Sequence, residues 1–160
     1  MIRSFVVVVV AFVVMEPVTY LAHRFVFHGL GMFLHRSHHR RWSSPRPDDR
    51  WVEANDAFPV IFAAGTMAAL AVGFNVDGWS VLVPLCVGVT LYGAAYAFVH
   101  DVYIHGRLGP RRASARLDRL ALAHSIHHRF GGEPYGMLLP VVPAALRERA
   151  RQRIETVPRP

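Results

Sequence analysis

The chain has ten histidines, and all of them fall into four short clusters. An H-x4-H pair is followed by an H-x2-H-H motif, and then the same order repeats. The ten are His23, His28, His35, His38, His39, His100, His105, His124, His127 and His128. Imidazole is a common ligand of iron, zinc, copper and nickel. The pattern therefore predicts a metal centre, with all ten histidines as candidate ligands.

The number of histidines favours two metal ions over one. A structural zinc site is closed with four ligands, which often include cysteine. The single cysteine, Cys86, lies in an apolar run and excludes a Cys-based site or an intramolecular disulfide. Ten imidazoles offer about five to each of two redox metals, with a position open for O2. Histidine-rich metal storage is the alternative, although storage tracts are normally soluble and irregular.

Helix geometry makes different predictions for the two motifs. At about 100° per residue, positions i, i+3 and i+4 share one face, so each H-x2-H-H motif is expected to converge on a metal site. Positions i and i+5 differ by about 140° on the same helix, so the two histidines of an H-x4-H pair are not expected to be neighbours. The H-x4-H pairs are therefore expected either to straddle two metals or to lie on a distorted helix end.

Three apolar stretches are long enough to carry these clusters across a membrane. The chain is 52% hydrophobic, and the stretches are residues 4–22, 57–74 and 79–99. A helix needs about 20 residues to cross a bilayer. The first stretch is interpreted as a retained span rather than a signal peptide, with its end bent by Pro17. The short 75–78 connection predicts a hairpin of the second and third spans, whose glycines and alanines permit close approach.

Arginine placement predicts the orientation of these spans. The net charge is +7, with eighteen arginines and no lysine. One arginine precedes the first span, six follow it before the second span, and eleven follow the third. The positive-inside rule then places residues 23–56 and everything after His100 on the cytoplasmic side, with all ten histidines. Because the arginines flank apolar spans, lipid headgroups are favoured as partners and nucleic acid is not.

The rest of the chain predicts further helices outside the spans. Residues 45–50 are expected to form a loop, residues 113–128 an amphipathic helix with three histidines on its apolar face, and residues 143–153 a short basic helix. We therefore predict a single all-α domain over 1–160, an integral membrane protein. Three transmembrane helices would carry cytoplasmic helices that enclose a histidine-ligated dimetal site.

Two carboxylates are candidates for orienting ligand histidines. Glu16 lies seven positions before His23, nearly on the same helix face, and a carboxylate near the bilayer is a functional candidate by default. It is expected to bond a ligand histidine from another helix, or else to be an interfacial residue near Pro17. Asp101 follows His100 and either orients that imidazole or is a helix-end charge.

Four residues in or beside these spans have weaker functional interpretations. Tyr92 and Tyr96 are candidates for lining a substrate path, with packing as the alternative. Asp56 is expected to cap the second span, with Asn55 as a rival cap and with a place behind a ligand histidine as the alternative role of Asp56.

The four-cluster pattern resembles the fatty acid hydroxylase and sterol desaturase superfamily of membrane di-iron enzymes, and within it the bacterial β-carotene 3-hydroxylase family. Residues between the histidines contribute to the resemblance, over about residues 10–140. They are Met15-Glu16, Glu53 to Asp56, Tyr92-Gly93, His100-Asp101, Ala123-His124 and Tyr135-Gly136.

The resemblance implies two non-haem Fe ions as cofactor and O2 as co-substrate. It implies hydroxylation of carotenoid β-ionone rings at C3, with electrons from a ferredoxin or similar carrier. A related di-iron enzyme acting on fatty acyl chains, sterols or another carotenoid, including a ketolase, is the main alternative. A non-enzymatic membrane metal-binding or transport protein is disfavoured, because after Glu16 the spans have no ionisable residue.

Overall fold

A computed structural model describes residues 1–43, 52–109 and 112–155. Within these ranges all regular structure is helical and no strand is present, which confirms the all-α prediction. The elements are α1 (Ile2–Leu21), a first π-helical segment (Ala22–Leu30), α2 (Met32–Ser43), a 3₁₀ turn (Ala54–Asp56), α3 (Ala57–Asn75), α4 (Leu82–Ala97), a second π-helical segment (Phe98–Ile104), α5 (Ala115–Phe130) and α6 (Ala144–Glu155). The predicted loop at 45–50 lies outside the described residues.

Three continuous helical stretches in the described ranges are long and apolar enough to cross a membrane. They are Ile2–Leu30, Ala54–Asn75 and Leu82–Ile104. Each contains one of the predicted spans almost entirely. Large apolar side chains such as Phe5, Val13, Phe62, Met67 and Leu91 are exposed on them, as expected for surfaces that lipid covers.

The hairpin of α3 and α4 forms as predicted, but the close approach by small residues differs. A Cβ on Gly88 would lie against the backbone oxygen of Val8 and 2.7 Å from the Cβ of Ala11, so this glycine brings α4 against α1 rather than α3. Gly65 and Gly93 have open space around them. The glycine pattern predicted that α4 packs closely against another helix, but it did not indicate that this helix is α1.

The first span departs from α-helical geometry later than the proline suggested. Pro17 lies inside α1, which continues to Leu21 and widens into the π-helical segment at Ala22. The backbone leaves helical geometry at Gly29, with φ −101° and ψ −117°. The chain then turns into α2, so the first span leads directly into the first H-x2-H-H motif.

A small apolar core holds α5 beside the end of the third span. It is made by Val99, Tyr103, Ile104 and Met137, with Leu117, Leu120 and Ala121 of α5 packed against it. This confirms the predicted apolar face of the 113–128 helix. The hydroxyl of Tyr103 donates to Asp118 at 2.6 Å and accepts from the backbone N–H of Ser114 at 2.9 Å, which fastens the start of α5.

Candidate metal centre and lipid cavity

The two H-x4-H pairs lie on the π-helical segments. A π-helix bonds residue i+5 to residue i, and the His105 N–H donates to the His100 carbonyl at 3.0 Å. This wider turn brings residues five apart onto one side. The ring centroids of His23 and His28 are 5.2 Å apart, and those of His100 and His105 are 4.6 Å apart. The expectation that these pairs are not neighbours is therefore wrong, and the alternative of a distorted helix end is confirmed.

Histidine nitrogens form two four-membered clusters in the described part of the chain. We call them site A (His23, His28, His35 and His127) and site B (His38, His105, His124 and His128). Within each cluster the candidate ligand atoms lie within 4.8 Å of one another. The remaining two adjoin them: the His39 Nε2 is 3.2 Å from that of His35, and the His100 Nε2 is 3.1 Å from that of His38.

In each H-x2-H-H motif, the middle histidine faces one site and the two outer histidines face the other. On α2, His35 and His39 face site A while His38 faces site B. On α5, His124 and His128 face site B while His127 faces site A. Each motif was expected to converge on one metal, and this is wrong because α2 and α5 lie side by side with the two clusters between them. The H-x4-H pairs do not straddle the clusters either.

The nitrogens that face each other are Nε2 atoms in every short contact. The separations are 3.2 Å for His23–His35, 3.2 Å for His28–His127, 3.1 Å for His38–His128, 3.2 Å for His105–His124 and 2.8 Å for His124–His128. With a metal–nitrogen bond of about 2.1 Å, ligands at right angles lie about 3.0 Å apart and tetrahedral ligands about 3.4 Å apart. The observed separations of 2.8 to 3.2 Å are close to these values, so the nitrogens of each cluster can share a metal ion.

The outer nitrogens of several rings contact oxygen. The His23 Nδ1 is 3.0 Å from the Tyr135 carbonyl, the His35 Nδ1 is 2.8 Å from the Asn55 Oδ1, and the His127 Nδ1 contacts the Gly132 carbonyl. Because a carbonyl only accepts, each Nδ1 carries the proton, and the Nε2 lone pair faces the cluster. Lone pairs this close repel one another unless a cation lies between them.

Burial keeps these rings neutral, so protons do not supply that cation. Burial lowers the pKa of His35 and of His127 to about 3, and burial with the nearby His28 lowers the pKa of His39 to about 4. The pKa of His124 also lies well below its ordinary value because the ring is buried among other histidines. Neutral imidazoles with converging lone pairs are the form that binds a metal. The donor set therefore fits two metal ions.

Carboxylates lie behind two rings of site B. The Asp101 Oδ1 is 3.1 Å from the His100 Nδ1, so Asp101 contacts the imidazole that it was expected to orient. The Glu53 Oε2 is 3.5 Å from the His38 Nδ1. Arg107 joins the carboxylates from outside, 3.3 Å from Glu53 and 3.5 Å from Asp101. It also donates to Asp56 at 2.8 Å.

Glu16 contacts backbone amides instead of a histidine. Its carboxylate accepts from the Tyr92 hydroxyl at 2.6 Å and from the N–H groups of Met137, Leu138 and Leu139 at 2.9 to 3.1 Å. The expected bond to a ligand imidazole is therefore wrong. Glu16 instead fastens the segment after α5, whose Tyr135 carbonyl contacts His23. No sequence pattern reveals a carboxylate that accepts from backbone amides far along the chain.

A cavity of about 570 Å³ opens between the three spans and reaches site B. Its apolar part includes Phe58, Phe62, Met67, Leu70 and Val89, and its polar part includes Asn55, Asp56, His100 and Asp101. From Asp56 to Leu70 it follows α3 for about 20 Å, at 1.5 Å per residue. An elongated apolar ligand would fit with one end beside His100.

Both candidate tyrosines line this cavity. The ring of Tyr96 stacks on His100 at 5.2 Å between centroids. Tyr92 is 2% exposed, packs edge-on against Phe12 and bonds Glu16. Tyr96 therefore lies between the cavity and site B, while Tyr92 both packs against α1 and contributes to the wall.

Comparison with known proteins places this arrangement in a family. The fatty acid hydroxylase family model matches residues 8–145, which include all ten histidines. The chain belongs to the fatty acid hydroxylase family. No solved structure matches it.

Curated relatives of this family member include proteins from bacteria, plants and algae. It is 35% identical to the β-carotene hydroxylase of Pseudescherichia vulneris, over 92% of this chain and 82% of the relative. It is 40% identical to β-carotene hydroxylase 1 of Capsicum annuum over 74% of this chain, and 38% identical to the β-carotene 3-hydroxylase of Haematococcus lacustris over 78%. The matched region is 38% and 39% of the length of those two chloroplastic relatives.

Several residues that orient the histidines were not predicted as such. Asn55 was expected to cap a helix but contacts His35, and Glu53 was not proposed for any role but contacts His38. Asp56 lies at the N-cap position of α3, yet its side chain accepts from the Glu53 N–H and from Arg107 rather than capping α3. A polar run directly before an apolar span was the available signal. The carbonyls of Gly132 and Tyr135 have no such signal, because any residue supplies one.

Proposed function

We propose that this protein uses two iron ions and O2 to hydroxylate β-ionone rings of a carotenoid at C3, converting β-carotene through β-cryptoxanthin to zeaxanthin. The observation that carries the proposal is the cavity that runs from the apolar spans to the histidine cage. The names of the bacterial, plant and algal relatives supply the substrate class.

The ten imidazoles are proposed to hold the metal pair, with His39 added to site A and His100 to site B. Seven of the ten are buried, so the cage is shielded from water. Bound iron would activate O2 and supply the oxidant for an unactivated C–H bond. The protein then orients the rings, keeps them neutral and excludes water. The carbonyls and carboxylates behind the Nδ1 atoms orient the rings.

The cavity is proposed to position the substrate. A carotenoid partitions into hydrocarbon, and the polyene would lie along α3 between Phe62 and Leu70. The ring end would then lie beside Tyr96, which stacks on His100. The Tyr96 ring offers a flat apolar surface to the β-ionone ring near site B. Only one end of a long substrate reaches the metals in this arrangement, so a two-ended substrate is processed one ring at a time.

The electron donor and the orientation are also proposals. Arginines of α6, namely Arg147, Arg149 and Arg151, are exposed on a short helix beyond the spans. An acidic ferredoxin-type donor would be attracted by such a surface. The positive-inside rule places this surface and the metal centre on the cytoplasmic side of the membrane.

Two measurements test the proposal. Expression in a bacterial host that accumulates β-carotene is expected to yield zeaxanthin, and the purified protein is expected to contain about two iron ions per chain. Unchanged β-carotene, with iron-loaded protein and a working reductant, would remove the carotenoid assignment. A keto-carotenoid product would indicate a ketolase. One tightly held zinc ion per chain would contradict the di-iron centre.

A further inference from the structure

The two metal sites differ in what lies behind their ligand rings. In site A, the outer nitrogens of His23, His35 and His127 contact three neutral oxygens. Two of these are backbone carbonyls, from Tyr135 and Gly132, and the third is the side-chain amide oxygen of Asn55.

In site B, the outer nitrogens of two rings, those of His100 and His38, face carboxylates instead. Asp101 contacts His100 at 3.1 Å, and Glu53 lies 3.5 Å from His38. Arg107 contacts both carboxylates and Asp56, so one positive charge is shared among three negative ones. The net charge of this group is therefore negative. The group lies beside the His38 and His100 rings, and the side chain of Glu53 is only 8% exposed.

We propose that site B holds its metal more tightly than site A, with Asp101 and Glu53 as the positioning residues responsible. The inference rests on the proposed dimetal centre. A carboxylate that accepts from a ligand imidazole, as Asp101 does from His100, raises the basicity of that ligand, and losing such a partner costs about 10–100-fold in metal affinity. Glu53 adds a second negative charge 3.5 Å from the His38 Nδ1. A carbonyl orients the ring equally well but adds no negative charge to offset that of the metal.

The test follows release of iron from the full-length protein in detergent. The protein is loaded with ferrous iron without oxygen, its iron content is measured, and release to a coloured ferrous chelator is then followed with time. We expect two phases of equal amplitude, a fast one from site A and a slow one from site B. Asp101→Asn is expected to accelerate the slow phase by about tenfold or more and to leave the fast phase unchanged. Glu53→Gln is a second variant with the same expectation.

The reciprocal variant supplies a carboxylate to site A. Asn55→Asp places an anion behind His35 in a side chain of the same shape, and it is expected to slow the fast phase. Asp77→Asn, in the connection between α3 and α4, and Asn75→Asp, at the end of α3, make the same two chemical changes away from both sites and are expected to alter neither phase. A general loss of stability would accelerate both phases together, so it is separable from the proposed effect.

The outcomes distinguish this inference from the proposal on which it rests. An iron content well below two per chain under all loading conditions would overturn the dimetal centre and the inference with it. Two iron ions released in one phase would overturn the inference alone. So would two phases in which Asp101→Asn accelerates the fast one, or in which Asn55→Asp has no effect.

Discussion

His38 and His39 are adjacent in the sequence, yet they face different metal sites. The ring centroids are 6.2 Å apart and nearly perpendicular. The Nε2 of His38 lies 3.1 Å from those of both His100 and His128, in site B, while the Nε2 of His39 lies 3.2 Å from that of His35, beside site A. Substituting one of these two neighbours therefore removes a ligand from one site and leaves the ligands of the other site in place.

His38→Ala is expected to abolish hydroxylation and to lower the iron content from about two toward one per chain, because site B loses a central ligand while site A keeps all of its own. Iron analysis of the purified protein and product analysis in a β-carotene-accumulating host check both effects. Arg36→Ala changes an exposed residue of the same helix and is the control. Full activity of His38→Ala would show that this residue is not a ligand.

Glu16→Ala is expected to destabilise the protein by on the order of 3 kcal/mol. It leaves the part-buried amides of Met137 and Leu138 without their acceptor, and an unsatisfied buried donor costs about 1–3 kcal/mol. Tyr92→Phe removes a single hydrogen bond and is expected to cost about 1 kcal/mol. Unfolding of the detergent-solubilised protein, followed by circular dichroism, measures both.

The control for this pair is Glu148→Ala, in which an exposed carboxylate of α6 is removed. It is expected to change the stability little. Equal stabilities of Glu16→Ala and Glu148→Ala would contradict the role of Glu16 in fastening the segment after α5.

Gly93→Leu is expected to narrow the cavity between the three spans without disturbing the metals. Gly93 lines the cavity, and a side chain there meets open space rather than a neighbouring helix. The added bulk competes with the substrate, and a misfit of about 1–3 kcal/mol lowers β-carotene conversion by about tenfold or more. Iron content is expected to remain unchanged.

Gly65→Leu is the matched substitution outside the cavity. Gly65 lies in α3, also has open space around it and does not line the cavity wall. It is expected to retain conversion of β-carotene. Equal losses in both variants would show that the cavity is not the substrate path.

Gly88→Ala is expected to destabilise the packing of α1 against α4. The added Cβ would press on the backbone of Val8, which cannot move aside as a flexible side chain does. Overpacking of this kind costs about 1–3 kcal/mol, whereas Gly65→Ala fills open space and gains up to about 1 kcal/mol of helix propensity. Thermal unfolding of the two variants in detergent compares them. A Gly88→Ala protein as stable as Gly65→Ala would mean that the two helices separate at no cost.

Sequence alone determined the elements of this protein and the chemistry that they carry. Apolar runs set the spans, because a membrane-crossing helix requires about 20 apolar residues whatever its neighbours are. The apolar face of α5 could also be predicted, since Leu117, Leu120 and Ala121 follow the helical period. The ten histidines indicated a dimetal centre by their number and type, which do not depend on how the helices pack.

Tertiary structure decided how the histidines divide between the sites and what orients them. An α-helical period separates His23 from His28, and only the π-helical backbone brings them together. His38 and His39 separate because α2 lies between two clusters, a consequence of its packing against α5. Asn55, Glu53 and the Tyr135 carbonyl reach the rings through contacts between distant parts of the chain. The difference between the two sites follows from these long-range contacts, and the period of a single helix carries no information about them.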